Sequence, residues 1–261
     1  MKAYVYSIDG KAGKEITLPE IFLEEIRPDI INRAAISQRS RNFQPKGTYY
    51  WAGVETSAEY KGRKGDYRAM IGTRLPRVKL PKGQQGAVRR VPSARKGRMA
   101  HPPKTEKTLV ENINRKERRK AIRSAIAATA SAHYVKIRGH KIDSIHVPLI
   151  VEDKFESMKK AKDVYSFLER LGLGAELIRS EKKTVRAGRG QNRGRAYRRK
   201  KGVLIVLSKK ADVYKASMNI PGIDVTTAKN LNVELLAPGG NPGRLTVYTE
   251  SAIKALENAF R

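Results

Sequence analysis

The chain of 261 residues contains no cysteine. That removes disulfides, thiolate metal sites and cysteine nucleophiles. No apolar run reaches the roughly 18 residues that suggest a membrane span. The opening stretch, MKAYVYSIDG, lacks the apolar segment and small-residue cleavage pattern of a secretory signal. A cytosolic location is the expectation. Acid is scarce in two places. Residues 61–104 hold 14 Lys and Arg against one acid, Asp66, and residues 182–201 hold 10 Lys and Arg and no acid. The whole chain carries +30, from 55 basic and 25 acidic residues. These two stretches account for +23 of it, so a nearly ordinary domain bears two strongly basic insertions. Such a charge balance fits nucleic acid or an anionic membrane as partner.

Residues 42–112 show no sustained hydrophobic period and are punctuated by glycine and proline. Structureless loops beyond about 15 residues are uncommon in compact domains. In RRVPSARKGRMAHPP (89–103), Pro92, Pro102 and Pro103 break any regular element, and no acid neutralises Arg89, Arg90, Arg95, Lys96 and Arg98. In water alone this segment is expected to be disordered, so its order must come from outside. Tyr49, Tyr50, Trp51, Tyr60 and Tyr67 set it apart from a plain linker. It reads as an extension that folds against a partner.

The rest of the chain alternates strand and helix patterns. KAYVYSI (2–8) reads as a strand ended by Asp9-Gly10, and Pro28 opens a helix with Ile31, Ala34, Ala35 and Gln38 on one face. Asn114 and Glu117 read as a capping box. The helix after them has Ala121, Ile122, Ala125, Ile126, Thr129 and Ala130 on its apolar face. Arg115, Lys116, Arg118, Arg119, Lys120 and Arg123 crowd its first turns, against the helix dipole. An external polyanion would relieve that repulsion. HVPLIVE (146–152) reads as a strand. A helix is expected from about Ser157, with Met158, Ala161, Val164, Tyr165, Leu168 and Leu171 inward, to Gly172. GVLIVLS (202–208) is apolar on both faces, as a central strand covered from each side would be. A helix from Ala211 to about Met218 follows, then strands at NVELLAP (232–238) and RLTVYT (244–249). Thr249 is expected to cap a last helix with Ala252, Ile253, Leu256 and Phe260 inward. This order predicts one α/β domain over residues 1–261, three layers (α/β/α) around a mainly parallel sheet. A long basic internal loop, 45–110, and a second basic segment, 182–201, interrupt it.

No catalytic residue stands out. AGRGQNRGRAY (187–197) places glycines at 188, 190 and 194, one residue late for G-x-G-x-x-G, and it precedes a strand rather than following one. It reads better as a pliant backbone that lets arginines meet phosphates. No P-loop pattern occurs. His101, His133, His140 and His146 have no i,i+4 pairing and no H-E-x-x-H, so they read as surface or satisfied interface residues, with His101 free to meet a phosphate or a base. Glu24-Glu25 and Glu152-Asp153 have no nucleophile beside them, and Ser208 and Ser251 lack a serine-elbow context. No metal or cofactor is expected. Lys and Arg neutralise phosphates, and arginine offers a planar fork of donors. Trp51, Tyr60, Tyr67 and Tyr197 are available to stack on bases, although Trp51 equally suits a small local core. No DNA-reading motif is present and the basic clusters lie mostly outside helices, so folded RNA is the favoured partner. The alternatives are an enzyme that holds nucleic acid with these arms, and a free RNA chaperone.

Four stretches carry a resemblance. GVETSAEYKGRKGDYRAMIGTRLPRV (53–78) resembles the start of the long internal loop of the large-subunit ribosomal protein four family, in its archaeal and eukaryotic form. KGRMAHPPKTEK (96–107) is similar to the return arm of that loop, and KKTVRAGRGQNRGRAYRRKKGVLIV (182–206) to its second basic segment. NIPGIDVTTAKNLNVELLAPGGNPGRLTVYTESAIKAL (219–256) resembles its C-terminal signature. The likeness runs from about residue 2 to the end. It implies a structural constituent of the large ribosomal subunit in the cytoplasm, without enzymatic activity. Implied partners are 23S-type large-subunit rRNA, neighbouring large-subunit proteins and the nascent peptide in transit, with no membrane. The protein would support subunit assembly, and its loop would line part of the peptide exit tunnel.

By the same resemblance, rRNA contacts in the loop are expected at Lys61, Arg63, Lys64, Arg68, Arg74, Arg77, Lys79 and Lys82. They continue at Arg89, Arg90, Arg95, Lys96, Arg98 and Lys104. Arg118 and Arg119 join them, with Arg186, Arg189, Arg193, Arg195, Arg198 and Arg199 in the second segment. Arg74, Arg77, Arg89 and Arg90 are the expected tunnel-region residues. One departure is visible: where relatives often have a glycine-rich, less charged loop tip, this chain reads KLPKGQQGAVRRVPSARKG (79–97).

Overall fold

The computed structural model of the chain describes residues 1–60, 62–63, 65, 88–142 and 145–260. They fall into two units, Met1–Asn42 with Val110–Arg261, and Phe43–Leu109.

The first unit opens with β1 (Lys2–Tyr6), which turns at Gly10 into β2 (Ala12–Thr17). Gly10 has φ 81°, and a Cβ there would lie 2.9 Å from the Arg170 carbonyl oxygen, so the turn needs glycine twice over. β2 is exposed along most of AGKEIT, which is why no apolar alternation announces it in the sequence. α1 (Pro28–Ser40) starts at the expected proline and buries Ile31, Ala34 and Ala35. α2 (Arg115–Ala130) buries its whole expected apolar face. Its capping box does not form. Asn114 sits at the N-cap without a side-chain cap bond, and Glu117 pairs with Arg33 at 2.9 Å. A charge-assisted bond to a guanidinium displaces the weaker bond to backbone.

After α3 (Ala132–Ile137) comes β3 (Leu149–Val151), fully buried. The single helix expected from Ser157 to Gly172 is instead three pieces. A tight turn at Asp153–Ser157 precedes α4 (Ala161–Leu168), and a wide π turn follows at Glu169–Leu173. Gly172 does take the helix-ending φ of 83°. The chain then re-enters a helix at once as α5 (Gly174–Glu181). β4 (Lys183–Val185), α6 (Arg189–Asn192) and β5 (Tyr197–Arg199) make up the basic segment. β6 (Leu204–Leu207) and α7 (Asp212–Met218) lie where the sequence predicts them, and β7 (Asp224–Thr227) follows.

NVELLAP is a correction: it holds α8 (Val233–Leu236), not a strand. Asn232 Oδ1 accepts the Leu235 N–H at 2.8 Å, a side-chain cap that starts the helix. Four apolar letters are too few for periodicity to separate the two conformations. β8 (Thr246–Thr249) and α9 (Glu250–Phe260) close the chain, with Ala252, Ile253 and Leu256 buried and Phe260 half-buried. Thr249 does not supply the cap. Its hydroxyl donates to Glu156 Oε1 at 2.8 Å, while Asp153 Oδ1 accepts the Ser251 N–H at 2.8 Å.

The main sheet has the order β2-β1-β3-β8-β6-β7, with only the β1–β2 pair antiparallel. β6 explains the layering. Leu204 and Val206 point into a core shared with α1, α2, α8 and α9, while Ile205 and Leu207 point into another shared with α3, α4, α5 and α7. A strand whose side chains alternate between two dry faces must be apolar throughout, as GVLIVLS is. The fold is therefore the expected three-layer α/β/α arrangement on a mainly parallel sheet. Among the described residues no helix is long and apolar enough to cross a membrane.

Candidate RNA interface

The segment 182–201 is an antiparallel hairpin rather than a slack loop. Lys183 faces Arg199, Thr184 faces Arg198 and Val185 faces Tyr197. The tip closes through Gly188 and Gly194, both at φ 78°, around the single turn α6. Arg186 takes part in this closure. It is half-buried, its N–H donates to Ala196 O at 2.8 Å and its Nε to Arg195 O at 3.0 Å. Arg189, Arg193, Arg195, Arg198 and Arg199 remain exposed. Lys183 Nζ lies 4.5 Å from the centre of the Tyr197 ring, and Tyr197 itself is exposed. Among the described residues, no carboxylate pairs with a cation of the hairpin before Lys201. The hairpin thus presents guanidinium forks with their donors open to solvent, the arrangement that phosphates complete.

The root of the hairpin is bound into the α/β unit by buried charge. Lys201 Nζ meets Asp224 at 2.9 Å, and Arg179 Nη2 donates to Lys201 O at 2.8 Å. Arg244 is wholly buried and donates to Gly202 O at 2.9 Å, Leu235 O at 2.9 Å and Asp224 Oδ2 at 2.7 Å. Gly202 N–H donates to Gly222 O at 2.8 Å. Glu176, also buried, accepts from Arg179 and His140. Burial alone would raise the Glu176 pKa, but the hydrogen bonds from Arg179 and His140 overcome it and hold the carboxyl at about 2. Burial pushes the His140 imidazole below its ordinary value despite Glu176. Arg138, which donates to Pro238 O at 2.7 Å and also to Asn241 O, is lowered to about 10 by burial, then by the nearby Arg244 and Arg179.

Sequence reasoning did not pick out Glu176, Arg179, Asp224 or Arg244. One signal was available: Arg244 is a lone cation at the mouth of the apolar run LTVY, where a buried charge demands a partner. His140 is only half satisfied, since Nδ1 meets Glu176 at 2.7 Å and Nε2 is buried without a partner. His101, His133 and His146 are exposed. Asp153 and Ser251 are joined in capping α9, and Ser208 donates twice to Glu156.

A second basic patch lies at the start of α2. Arg119 is exposed and Arg118 half-buried, and among the described residues neither has an acidic partner, whereas Arg123 pairs with Glu24 at 2.9 Å.

In the Phe43–Leu109 unit, Arg63, Arg95, Lys96, Arg98 and Lys104 are exposed and Arg89 is half-buried. Arg90 turns inward within this unit, donating from Nε to Val54 O at 2.9 Å. Lys61, Lys64, Arg68, Arg74, Arg77, Lys79 and Lys82, with Tyr67, lie outside the described residues. Trp51 does not centre a local core: it is 52% exposed.

Comparison with known proteins places the chain in a family. The model of the Ribosomal protein L4/L1 family matches residues 16–259. The large ribosomal subunit protein uL4 of Methanocaldococcus jannaschii is 49% identical over 261 residues, all of both chains. Those of Archaeoglobus fulgidus (47%, covering 98% of each chain) and Methanococcoides burtonii (46%, covering 99% of this chain and 98% of the relative) are similar throughout. With a match over nearly its whole length and relatives this near, the chain belongs to the Ribosomal protein L4/L1 family.

Proposed function

We propose that the protein is a structural constituent of the cytoplasmic large ribosomal subunit, binds its 23S-type rRNA and supports subunit assembly without catalysing a reaction. The observation that carries this reading is the concentration of +23 in 64 residues that hold a single acid. Fixed cations without internal partners lower the repulsion between converging phosphates and release their counterions. The hairpin at 182–201 and the start of α2 hold rRNA at the surface of the α/β unit. The 45–110 extension enters the rRNA, and Arg74, Arg77, Arg89 and Arg90 approach the channel through which the nascent peptide leaves. Arg90 has a second task there, since its guanidinium already closes on the Val54 carbonyl.

Crosslinking in cells, mapped to both protein residue and nucleotide, tests this. Crosslinks from residues 61–104 to large-subunit rRNA near the exit tunnel are expected. Crosslinks scattered over unrelated RNAs, or mainly to DNA, would overturn it.

A further inference from the structure

The Phe43–Leu109 unit has almost no core of its own: among its described residues only Ala58 is buried. Its first turn is nevertheless closely built. Ala52 N–H donates to Tyr49 O at 2.9 Å, and the Val54 and Glu55 N–H groups both donate to Trp51 O, at 2.9 and 3.1 Å. Gly53, at φ 74°, lies against the return segment so tightly that a Cβ would stand 2.3 Å from Gly97 O and 2.5 Å from Arg98 N. Arg90 straps the same turn through Val54 O and, at 3.4 Å, Thr56 O.

This construction holds three adjacent aromatic rings outward. Tyr49, Tyr50 and Trp51 are 63%, 87% and 52% exposed, and the Tyr50 and Trp51 rings meet edge to face, 5.4 Å apart at 89°. The Gly53–Gly97 contact also brings the backbone of the segment that carries the exposed cations Lys96 and Arg98 against the turn, which itself has one acid, Glu55. Flat apolar faces in the same unit as cations that have no acidic partner among the described residues suit a ligand that is flat and carries phosphate. An apolar protein surface would leave those cations without partners.

We propose that the Tyr49–Trp51 turn, with Lys96 and Arg98 across the Gly53–Gly97 contact, is a stacking site for an unpaired RNA base, Tyr50 being its platform. The proposal rests on the RNA-binding reading above and adds to it a contact to a base, where that reading needs only phosphates.

Trp51 is the only tryptophan in the chain, so its emission reports on this site in the unlabelled protein. The probes are protein-free large-subunit rRNA and inorganic polyphosphate, a polyanion without bases. The rRNA quenches Trp51 and polyphosphate does not. Tyr50→Ala weakens rRNA binding about tenfold, as loss of one stacked base does, and leaves polyphosphate binding unchanged. Tyr50→Phe keeps the wild-type affinity. Tyr50 is too exposed for these variants to disturb folding. Equal quenching by polyphosphate, or a Tyr50→Ala protein that binds rRNA as tightly as wild type, overturns the stacking site and leaves the RNA reading standing. Normal rRNA binding by Tyr50→Ala with failed incorporation into subunits would assign the turn to a protein partner and overturn it as well. A wild-type chain that does not bind rRNA at all ends both.

Discussion

Residues 182–201 leave the α/β unit as a hairpin and return to it, whereas residues 43–109 form a unit of their own. The hairpin has a three-residue ladder, too short to be stable alone in water. Its root supplies what the ladder lacks: Lys201 on Asp224, Arg179 on the Lys201 carbonyl, and Arg244 under Gly202. Here Asp224 is taken up by Lys201 and Arg244, and among the described residues the cations from Lys182 to Lys200 have no acidic partner. In the 43–109 unit, glycine contacts and one arginine strap set the local shape, and among its described residues one apolar residue is buried. Both regions display cations, but the first is held by bonds from the α/β unit around it, whereas the second is shaped by glycine contacts and an arginine strap within itself.

The comparison can be broken most severely by removing residues 61–104. Large-subunit assembly is expected to stall, with loss of mature subunits on a sucrose gradient, while the α/β unit still melts cooperatively. A gradient identical to wild type would deny the arm its part in assembly.

Next in size is Glu176→Gln, which leaves Arg179 and His140 facing a neutral amide in a buried site. A loss of about 3–5 kcal/mol in denaturant unfolding is expected. Acid should act in the same direction. The folded Glu176 pKa lies below its ordinary 4.5, so its contribution is complete above that value and disappears as pH falls through about 2. His140 is lowered from its ordinary 6.5, so the unfolded chain takes up a proton first and stability also declines below that pH. Unfolding curves measured from pH 7 to 2 should fall throughout, and in Glu176→Gln the limb below 4.5 should flatten. An unchanged limb would place the stabilising charge elsewhere.

The smallest effect sharpens the contrast. Arg118→Ala with Arg119→Ala removes cations from the positive end of α2, so the free protein should gain about 0.3–1 kcal/mol. RNA affinity should fall, and its salt slope should become shallower by about one for each phosphate that is no longer neutralised. A fall in both stability and affinity would mean these arginines pack rather than bind.

Much of this was legible in the sequence. GVLIVLS declared a strand between two layers, and the spacing of Ala121, Ile122, Ala125 and Ile126 declared the buried face of α2, because burial writes a period into the chain. The basic segments were legible as charge with a single acid, Asp66, between them. The order inside 182–201 was not: its hairpin depends on Asp224 and Arg244, which are close only in three dimensions. NVELL was misread because one side-chain bond from Asn232, not periodicity, decides its conformation. Glu117 and Thr249 were assigned caps that the fold replaces with tertiary partners, Arg33 and Glu156.

Gly222 faces the root of the hairpin with no room to spare. It stands at φ 80°, and a Cβ there would come within 2.5 Å of Ser180 Cβ and 3.2 Å of the Lys200 carbonyl oxygen. A single methyl group at this position, itself uncharged, would have to shift either α5 or the outgoing strand of the hairpin. A small tilt at a pivot grows along the arm, so all the guanidiniums beyond it would move together, and any row of phosphates they meet would be met out of step. The alignment of this polyelectrolyte is thus governed by an atom that is missing, at a residue that carries no charge.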